Sequence, residues 1–399
     1  MKLTKVTSKK LLKKFIKLSV LLYKDEPFWI RPMDKDIEGI FQPEENTYFE
    51  HGDCTCWILE DNGAVVGRIA AFFDNRKSTK DYQQPTGGIG FFECINNQEA
   101  ANLLFDTGKQ WLIEHGMEAM DGPINFGDRD KWWGLLTKGF DIEPSYQCNY
   151  HLPYYQELFI IEHQYLFSLF ENYGFQVYFN QYTFTRKLAD PFHPRLKYKA
   201  DLIAKDPNYT FEHLNMKTLD KHISDIVEIY NKAWSGHRGV PQLTKEQGEA
   251  IFKDLKPIVD ERIIWLAYYK DKPCAFYFNI PDVNGILKYL NGKFNLLGKL
   301  KFLWYRWRIK KKKMLGIVFG VVPEHQGTGL DGALIINSSK IIQHLPDTYD
   351  TLEINGIGDF NPKMIIVVKQ VGGEICKVHT TYRFLFDRTK PFKRMERIK

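Results

Sequence analysis

The chain has 399 residues, of which 44% are hydrophobic and 15% aromatic, and its formal net charge is +6. This composition is sufficient for the cores of about two or three domains and excludes wholesale disorder. No run of about 18 apolar residues occurs, so the sequence predicts no membrane span. The mild positive charge indicates anionic ligands or surfaces rather than obligate nucleic-acid binding.

The N-terminal region is basic and has a helical pattern. Residues 8–23 predict an amphipathic helix capped by Ser8, and the apolar stretch at residues 20–23 is too short for a secretion signal. Cys54 and Cys56 have no second cysteine pair or histidine pair with metal-ligand spacing. We therefore expect a cytoplasmic protein with reduced cysteines and no bound metal.

Two parts of the chain share one order of predicted elements. Asn62-Gly63 lies between two β-branched runs and predicts a hairpin over residues 56–73, and residues 263–280 predict a second hairpin. Each hairpin precedes a strand, a turn and a helix, at residues 90–114 and at residues 314–340. The sequence thus predicts two similar halves.

The turn of the second half has the chemistry of an anion site. An apolar run, Leu315 to Val322, ends at Pro323, and Gln326-Gly327-Thr328-Gly329 follows before a helical pattern opens at Leu330. Main-chain N–H groups and the positive end of a helix converge at such a turn. The two glycines permit positive φ and close approach of a ligand. These residues favour a phosphate or pyrophosphate.

The turn matches neither a Walker loop nor the dinucleotide fingerprint. It resembles the pyrophosphate loop of the GNAT acyltransferase superfamily, Q/R-x-x-G-x-G/A, with Asp331 where that family has Gly or Ala. Asn361, Met364 and Gly372 resemble the family's second motif, N-x-x-A followed by Y-x-x-x-G-F. Val368 stands where the family often has the tyrosine that protonates the departing thiolate. The resemblance covers roughly residues 210–390.

The resemblance implies an α/β (α+β) fold of two tandem GNAT-like domains, each with a mixed, mostly antiparallel sheet flanked by helices. Residues 1–190 would be a degenerate domain, because their turn at residues 95–98 has no glycine. Residues 191–209 would be a linker, and residues 210–399 the domain that binds acyl-coenzyme A.

The resemblance also implies where the acyl donor, acetyl-CoA or another acyl-CoA, is bound. The implied residues are Val321 and Val322 through their main chains, Gln326, Gly327, Thr328, Gly329, Leu330 and Asn361. Acyl transfer to an amine also needs a base and donors for the oxyanion. Glu353 and Asn355 lie two apart on the next strand and share a face, which makes Glu353 the candidate base. The alternative is that Glu353 is a strand carboxylate satisfied by Lys or Arg.

The segment 293–313 combines nine cations and no acid with many aromatic and aliphatic side chains. It predicts a basic amphipathic helix, which can lie on an anionic membrane surface and would make the protein peripheral to the membrane. Alternatively, the helix is buried on its aromatic side with a solvated basic rim, or its lysines meet the phosphates of coenzyme A. Nucleic acid is disfavoured, because the apolar density exceeds what phosphate contacts need.

These observations lead to one functional hypothesis and two alternatives. The hypothesis is an enzyme that moves an acyl group from acyl-CoA to a small-molecule or lipid-linked amine. The first alternative is a Fem-type transferase that uses aminoacyl-tRNA, which the basic segment favours and the Gln326–Gly329 loop opposes. The second is a non-catalytic protein that binds acyl-CoA or another ligand, which Asp331 and Val368 favour.

Overall fold

The structure is a computed structural model. The residues that it describes are 1–76, 84–155, 160–161, 164–165, 169–234, 242–309, 312–344 and 349–398. The helices and strands of the first half are β1 (Lys2–Lys5), α1 (Lys9–Leu22), α2 (Asp34–Ile40), β2 (Gly52–Asp61), β3 (Ala64–Asp74), β4 (Thr86–Cys94), α3 (Gln98–Glu114), β5 (Ala119–Gly122), β6 (Leu135–Lys138), β7 (Ile160–Ile161), β8 (Gln164–Tyr165), α4 (Leu169–Tyr173) and β9 (Gln176–Lys187).

The second half repeats the order of elements seen from β1 to β5. Its helices and strands are α5 (Pro194–Ala204), β10 (Tyr209–His213), α6 (Leu219–Trp234), α7 (Lys245–Leu255), β11 (Trp265–Tyr269), β12 (Lys272–Pro281), α8 (Asn284–Leu287), α9 (Leu296–Arg308), β13 (Lys312–Val321), α10 (Leu330–Ile342), β14 (Tyr349–Gly358), α11 (Pro362–Gln370) and β15 (Glu374–Leu385).

One 13-stranded sheet runs through both halves, in the order β1-β2-β3-β4-β5-β15-β9-β14-β13-β12-β11-β10, with β6 paired to β15. The described neighbours are antiparallel except for two parallel pairs, β4 with β5 and β13 with β14. The order is symmetric about β15 and β9. β9, the last strand of the first half, pairs with β14 of the second half, and β15, the last strand of the second half, pairs with β5 of the first half. Each half therefore receives the last strand of the other half.

Side-chain packing follows this strand exchange. Phe184 of β9 lies in the core of the second half, whereas Tyr382 and Phe384 of β15 lie in the core of the first half. Arg383 of β15 forms a buried ion pair with Asp121 of β5, with Nε 2.6 Å from Oδ1 and Nη2 2.7 Å from Oδ2. Each core is therefore completed by a strand from the other half of the chain.

Local signals in the sequence produce the predicted turns and caps. Ser8 caps α1 by accepting the N–H of Leu11. Asn62 and Gly63 both have positive φ, 48° and 79°, in the turn between β2 and β3. Positive φ at both central residues matches the right-handed twist of the flanking strands. Lys270 and Asp271 form the corresponding turn between β11 and β12, with φ of 48° and 62°.

The expected division into residues 1–190, a linker at 191–209 and residues 210–399 stays a prediction. Within the expected linker the structure has helix α5, which packs on α10. A Cβ added to Gly332 would lie 2.7 Å from Leu196 of α5, so glycine is needed for the two helices to approach this closely. Leu196, Ala200 and Ile203 are buried in the core of the second half.

Candidate active site where two parallel strands part

β13 and β14 are paired over only the first part of their lengths. The parallel pairing ends at Gly316 and Ile354, after which β13 continues to Val321 while β14 stays with β9. Ile317, directly beyond the last pair, is 51% exposed although it lies on an inner strand of the sheet. This exposure shows that no described residue packs over the face of the sheet at this point, while the missing pairing beyond Gly316 and Ile354 leaves the edge of β13 free. The sheet therefore opens between residues 317–321 and residues 355–358.

The loop after β13 lies at the wide end of this opening. Gly327 and Gly329 have φ of +75° and +97°, and Gly329 is the N-cap of α10 with no side-chain hydrogen bond to the helix. Thr328 Oγ donates to the carbonyl of His325 at 2.7 Å and lies 3.4 Å from the N–H of Leu330. No described residue accepts a hydrogen bond from the N–H of Gly327 or Thr328. These groups and the start of α10 suit an anion.

The two loop glycines have different surroundings. A Cβ on Gly327 would meet no atom within 4 Å, so this side of the loop is open. A Cβ on Gly329 would lie 2.7 Å from Cβ of Lys199 in α5, so Gly329 faces the protein interior. Gly327 thus allows a ligand to approach the backbone, whereas Gly329 allows the loop to pack on α5.

The main chain of Val321, but not that of Val322, faces the opening. The N–H of Val322 donates to the carbonyl of Cys274 in β12 at 2.9 Å, and its carbonyl accepts from the N–H of His325. Main-chain groups alternate in direction along an antiparallel strand, so those of Val321 point away from β12. Gln326 Nε2 donates to the carbonyl of Val321 at 2.9 Å, which holds the strand end in place.

Glu353 is enclosed by a buried charge cluster. Lys313 Nζ lies 2.8 Å from Oε1, Lys377 Nζ lies 3.0 Å from Oε2, and Ser145 Oγ donates to Oε2 at 2.8 Å. Glu353 is 2% exposed and Lys377 is 1% exposed. The three partners come from β13, from β15 and from a loop of the first half, so this cluster joins distant parts of the chain.

The surroundings of Glu353 favour its charged form. Burial by itself raises the pKa of a carboxyl, but here Lys377 and then Lys313 more than offset it, and the pKa of Glu353 lies below its ordinary value. A carboxylate with a lowered pKa and two ammonium partners is a poor proton acceptor. These contacts favour a structural role for Glu353, the alternative considered from the sequence, over the role of base.

The other predicted residues lie in distinct environments. Asn355 follows the last residue of β14 that pairs with β13, its Oδ1 is 3.5 Å from Ser145 Oγ, and the next residue, Gly356, has φ of +75°. Asn361 caps α11 by accepting the N–H of Met364 at 3.2 Å. Val368 is 1% exposed, so this position provides neither a polar group nor access to a ligand.

The corresponding region of the first half is filled by protein. The N–H of Ile124 donates to the carbonyl of Ile89 at 2.8 Å just past the parallel pairing of β4 and β5. The hydroxyl of Tyr155 accepts the N–H of Cys94 at 2.8 Å, and Tyr154 donates to the Cys94 carbonyl at 2.6 Å. Asn97 caps α3 with its own side chain. The strand end and helix start that correspond to the candidate site of the second half are therefore already hydrogen-bonded here.

A cavity of about 720 Å³ lies at the opposite, closed end of the parted strands. Lys313, Asp282 and Thr351 line it, together with Phe302 of α9. Burial raises the pKa of Asp282 to about 6, against the opposing effect of Lys313. Within the described residues, no His, Cys, Asp and Glu side chains group as a metal site needs, and no helix could cross a membrane.

The sequence did not predict the partners of Glu353. Ser145 lies in an irregular loop, and Lys377 is a single lysine within a strand, a type of residue that is usually exposed. Its sequence neighbours Cys376 and Val378 point to the opposite face of β15, so alternation gives no sign that Lys377 is buried. Its burial follows from the crossing of β15 to the centre of the sheet.

No protein-family profile matches the chain. Protein YghO of Escherichia coli (strain K12) is 25% identical over 378 residues, which are 93% of this chain and 92% of that protein. Bacterial ceramide synthase of Caulobacter vibrioides (strain NA1000 / CB15N) is 25% identical over 387 residues, which are 93% of this chain and 94% of that protein.

Among solved structures, a tandem GNAT protein from the clavulanic acid biosynthesis pathway is similar with a TM-score of 0.52 and 11% identity, over 98% of this chain and 99% of that chain. The chain thus has the GNAT fold in its tandem form. The fold implied by the loop at residues 326–329, two tandem GNAT-like units with a mostly antiparallel sheet flanked by helices, is confirmed.

Replacing Glu353 by Gln tests its structural role. The folded-state pKa is lowered, so the charged carboxylate contributes stability above its unfolded pKa of about 4.3, and this contribution is lost as the pH falls through the folded value. We expect Glu353→Gln to cost about 3–5 kcal/mol at pH 7, because it leaves the buried ammonium of Lys377 without a charged partner, whereas Lys313 keeps Asp282 at 3.8 Å. The difference from wild type should shrink below about pH 4.

Urea unfolding at a series of pH values measures this difference. Glu228→Gln is the control, because Glu228 pairs with Lys232 at 2.6 Å on the surface of α6 and should change stability by at most about 1 kcal/mol. Equal stability of Glu353→Gln and wild type at neutral pH would contradict the structural role.

Proposed function

We propose that the protein transfers an acyl group from acyl-coenzyme A to an amine, with the donor bound in the opening between β13 and β14. The observation that carries this proposal is the combination of parted parallel strands with a helix, at their wide end, whose N-cap residue Gly329 makes no side-chain hydrogen bond. A strand edge with unpaired amides suits the amide-containing arm of the donor. The loop N–H groups suit its pyrophosphate.

The residues around the opening have complementary roles in this proposal. The N–H of Val321 faces the opening and is the donor for the oxyanion that forms when the amine attacks the thioester carbonyl. Asn355 provides a side-chain amide at the opposite wall. Glu353 does not take the proton; with Lys313 and Lys377 it fixes β14 beside β13, at the point where the strands begin to part.

The acceptor is proposed from the relatives. One of them is named a bacterial ceramide synthase, and a ceramide is by definition a long-chain amino alcohol acylated on nitrogen. The alignment spans 93% of this chain, so it includes both the opening and the first half. An amine that carries a long alkyl chain is therefore the acceptor class that we propose for this protein.

A transfer assay tests the reaction. The purified chain is incubated with acyl-CoA thioesters of increasing chain length and a long-chain amino alcohol, and amide formation is followed by mass spectrometry together with release of the coenzyme A thiol. We expect the amide product and the free thiol to appear in equal amounts. Thiol release without amide would indicate hydrolysis, and no reaction with any donor would support a non-catalytic binding protein instead.

Two substitutions at Thr328 test the donor site. Asp and Asn can both replace the threonine oxygen that lies near the N–H of Leu330. Only Asp adds a negative charge where the pyrophosphate is expected. We expect Thr328→Asp to weaken coenzyme A binding by about tenfold or more, since about 1.4 kcal/mol of repulsion corresponds to a factor of ten.

Isothermal titration calorimetry with coenzyme A measures the affinities. Thr328→Asn is the matched control and should bind within about twofold of wild type, because its amide offers both an oxygen for the N–H of Leu330 and a donor for the His325 carbonyl, and adds no charge. Equal affinity of the Asp and Asn variants would mean that the phosphates bind elsewhere.

A further inference from the structure

Helix α9 exposes an apolar stripe that is unusual for a surface helix. Its large exposed side chains include Trp307, which is 80% exposed, and the whole set is Leu296, Leu297, Leu300, Leu303, Trp304 and Trp307. Trp304 and Trp307 are therefore not buried, in contrast to one of the alternatives considered from the sequence. Isolated apolar residues are common on protein surfaces, but a contiguous patch marks an interaction site.

The opposite side of α9 is fixed to the protein. Phe302 and Gly298 are buried, and Phe302 packs in a cluster with Leu287 and Leu290. Asn295 caps the helix by accepting the N–H of Gly298 at 3.0 Å. The exposed stripe is therefore held outward by the packing of the helix rather than by fraying of its end.

The cations of α9 form a row on each side of the stripe. At about 100° per residue, Leu296, Leu300, Leu303 and Trp307 share one face, Lys299 and Arg306 flank it on one side, and Lys301 and Arg308 flank it on the other. All four cations are exposed, and the helix has no acidic residue. Lys310 and Lys311, near the end of the predicted basic segment 293–313, lie outside the described residues.

Helix α9 lies in the connection between β12 and β13, which is much longer than the equivalent connection of the first half. β12 and β13 are joined by residues 282–311, whereas the equivalent strands of the first half, β3 and β4, are joined by residues 75–85. The shorter connection shows that the fold does not need α9.

We propose that α9 docks on an anionic membrane surface, with Leu300, Leu303 and Trp307 in the acyl-chain boundary and the two cation rows on the lipid phosphates. Helices with this division of apolar and basic faces bind in the interface plane, where burial of the apolar face and attraction to anionic lipids act together. A second copy of the chain is a less favourable partner, since α9 packed on α9 brings cation rows against each other without any acid between them.

Vesicle co-sedimentation of the full chain tests the docking. We expect binding to vesicles of equal parts phosphatidylcholine and phosphatidylglycerol, with loss of binding at high salt, where screening shortens the range of the charges. Binding to phosphatidylcholine alone should be weak. A wild-type chain that stays in the supernatant with the anionic vesicles at low salt, or that binds neutral vesicles equally well, overturns the proposal.

A pair of double variants assigns the binding to α9. Leu303→Ser with Trp307→Ser should lower the partition by at least about tenfold, because it removes two large apolar groups from the bilayer boundary. The matched control changes the exposed Tyr198 and Leu202 of α5 to Ser and should bind like wild type. Since all four side chains are exposed, the melting temperatures should be unchanged.

Two results would overturn the assignment. One is retention of vesicle binding in the α9 variant. The other is a wild-type dimer in light scattering that the α9 variant abolishes, since this would identify the stripe as a contact between copies. Docking is measured without any substrate, so its outcome is independent of the proposed acyl transfer.

Discussion

The antiparallel ladder between β9 and β15 is the interaction on which the rest of the structure depends. These two 12-residue strands lie at the centre of a single sheet. Each half of the chain contributes one of them to the strands of the other half. Separating the halves would break this ladder and the buried Arg383–Asp121 pair, and would remove aromatic side chains from both cores. The two halves therefore stabilise each other, although each repeats the same order of elements.

The ladder also determines how the candidate site is built. Because β9 pairs with β14 along one edge, β14 is held in the sheet after it leaves β13. Because β15 crosses to the centre, Lys377 reaches Glu353 from one side while Ser145 of the first half reaches it from another. The opening is thus bordered by residues of the second half and supported by residues of the first.

The equivalent pairs of parallel strands, β4 with β5 and β13 with β14, have different surroundings where their pairing ends. In the second half, the strands part and the following helix starts with a glycine. In the first half, Ile124 bonds to Ile89, and Tyr154 and Tyr155 bond to Cys94. A filled opening cannot accept a ligand, so the first half acts as a scaffold for the second in this account.

Local features of the chain were predictable and distant contacts were not. The Asn62-Gly63 turn, the Ser8 cap and the glycine loop follow from short-range backbone preferences. The exchange of β9 and β15 has no local signal, because strand order depends on which partners the folded chain brings together. The same reason explains why the sequence does not identify the two lysine partners of Glu353, which lie 40 and 24 residues away in sequence.

The central claim is that one acyl-CoA molecule binds per chain, between β13 and β14. A crystal structure of the protein with a non-hydrolysable acyl-CoA thioether tests this most directly. The account predicts density for one ligand, with its pyrophosphate on the N–H groups of residues 327–330 and its amide arm along Ile317 to Val321. Density beside Cys94 in the first half, or none between β13 and β14, would contradict it.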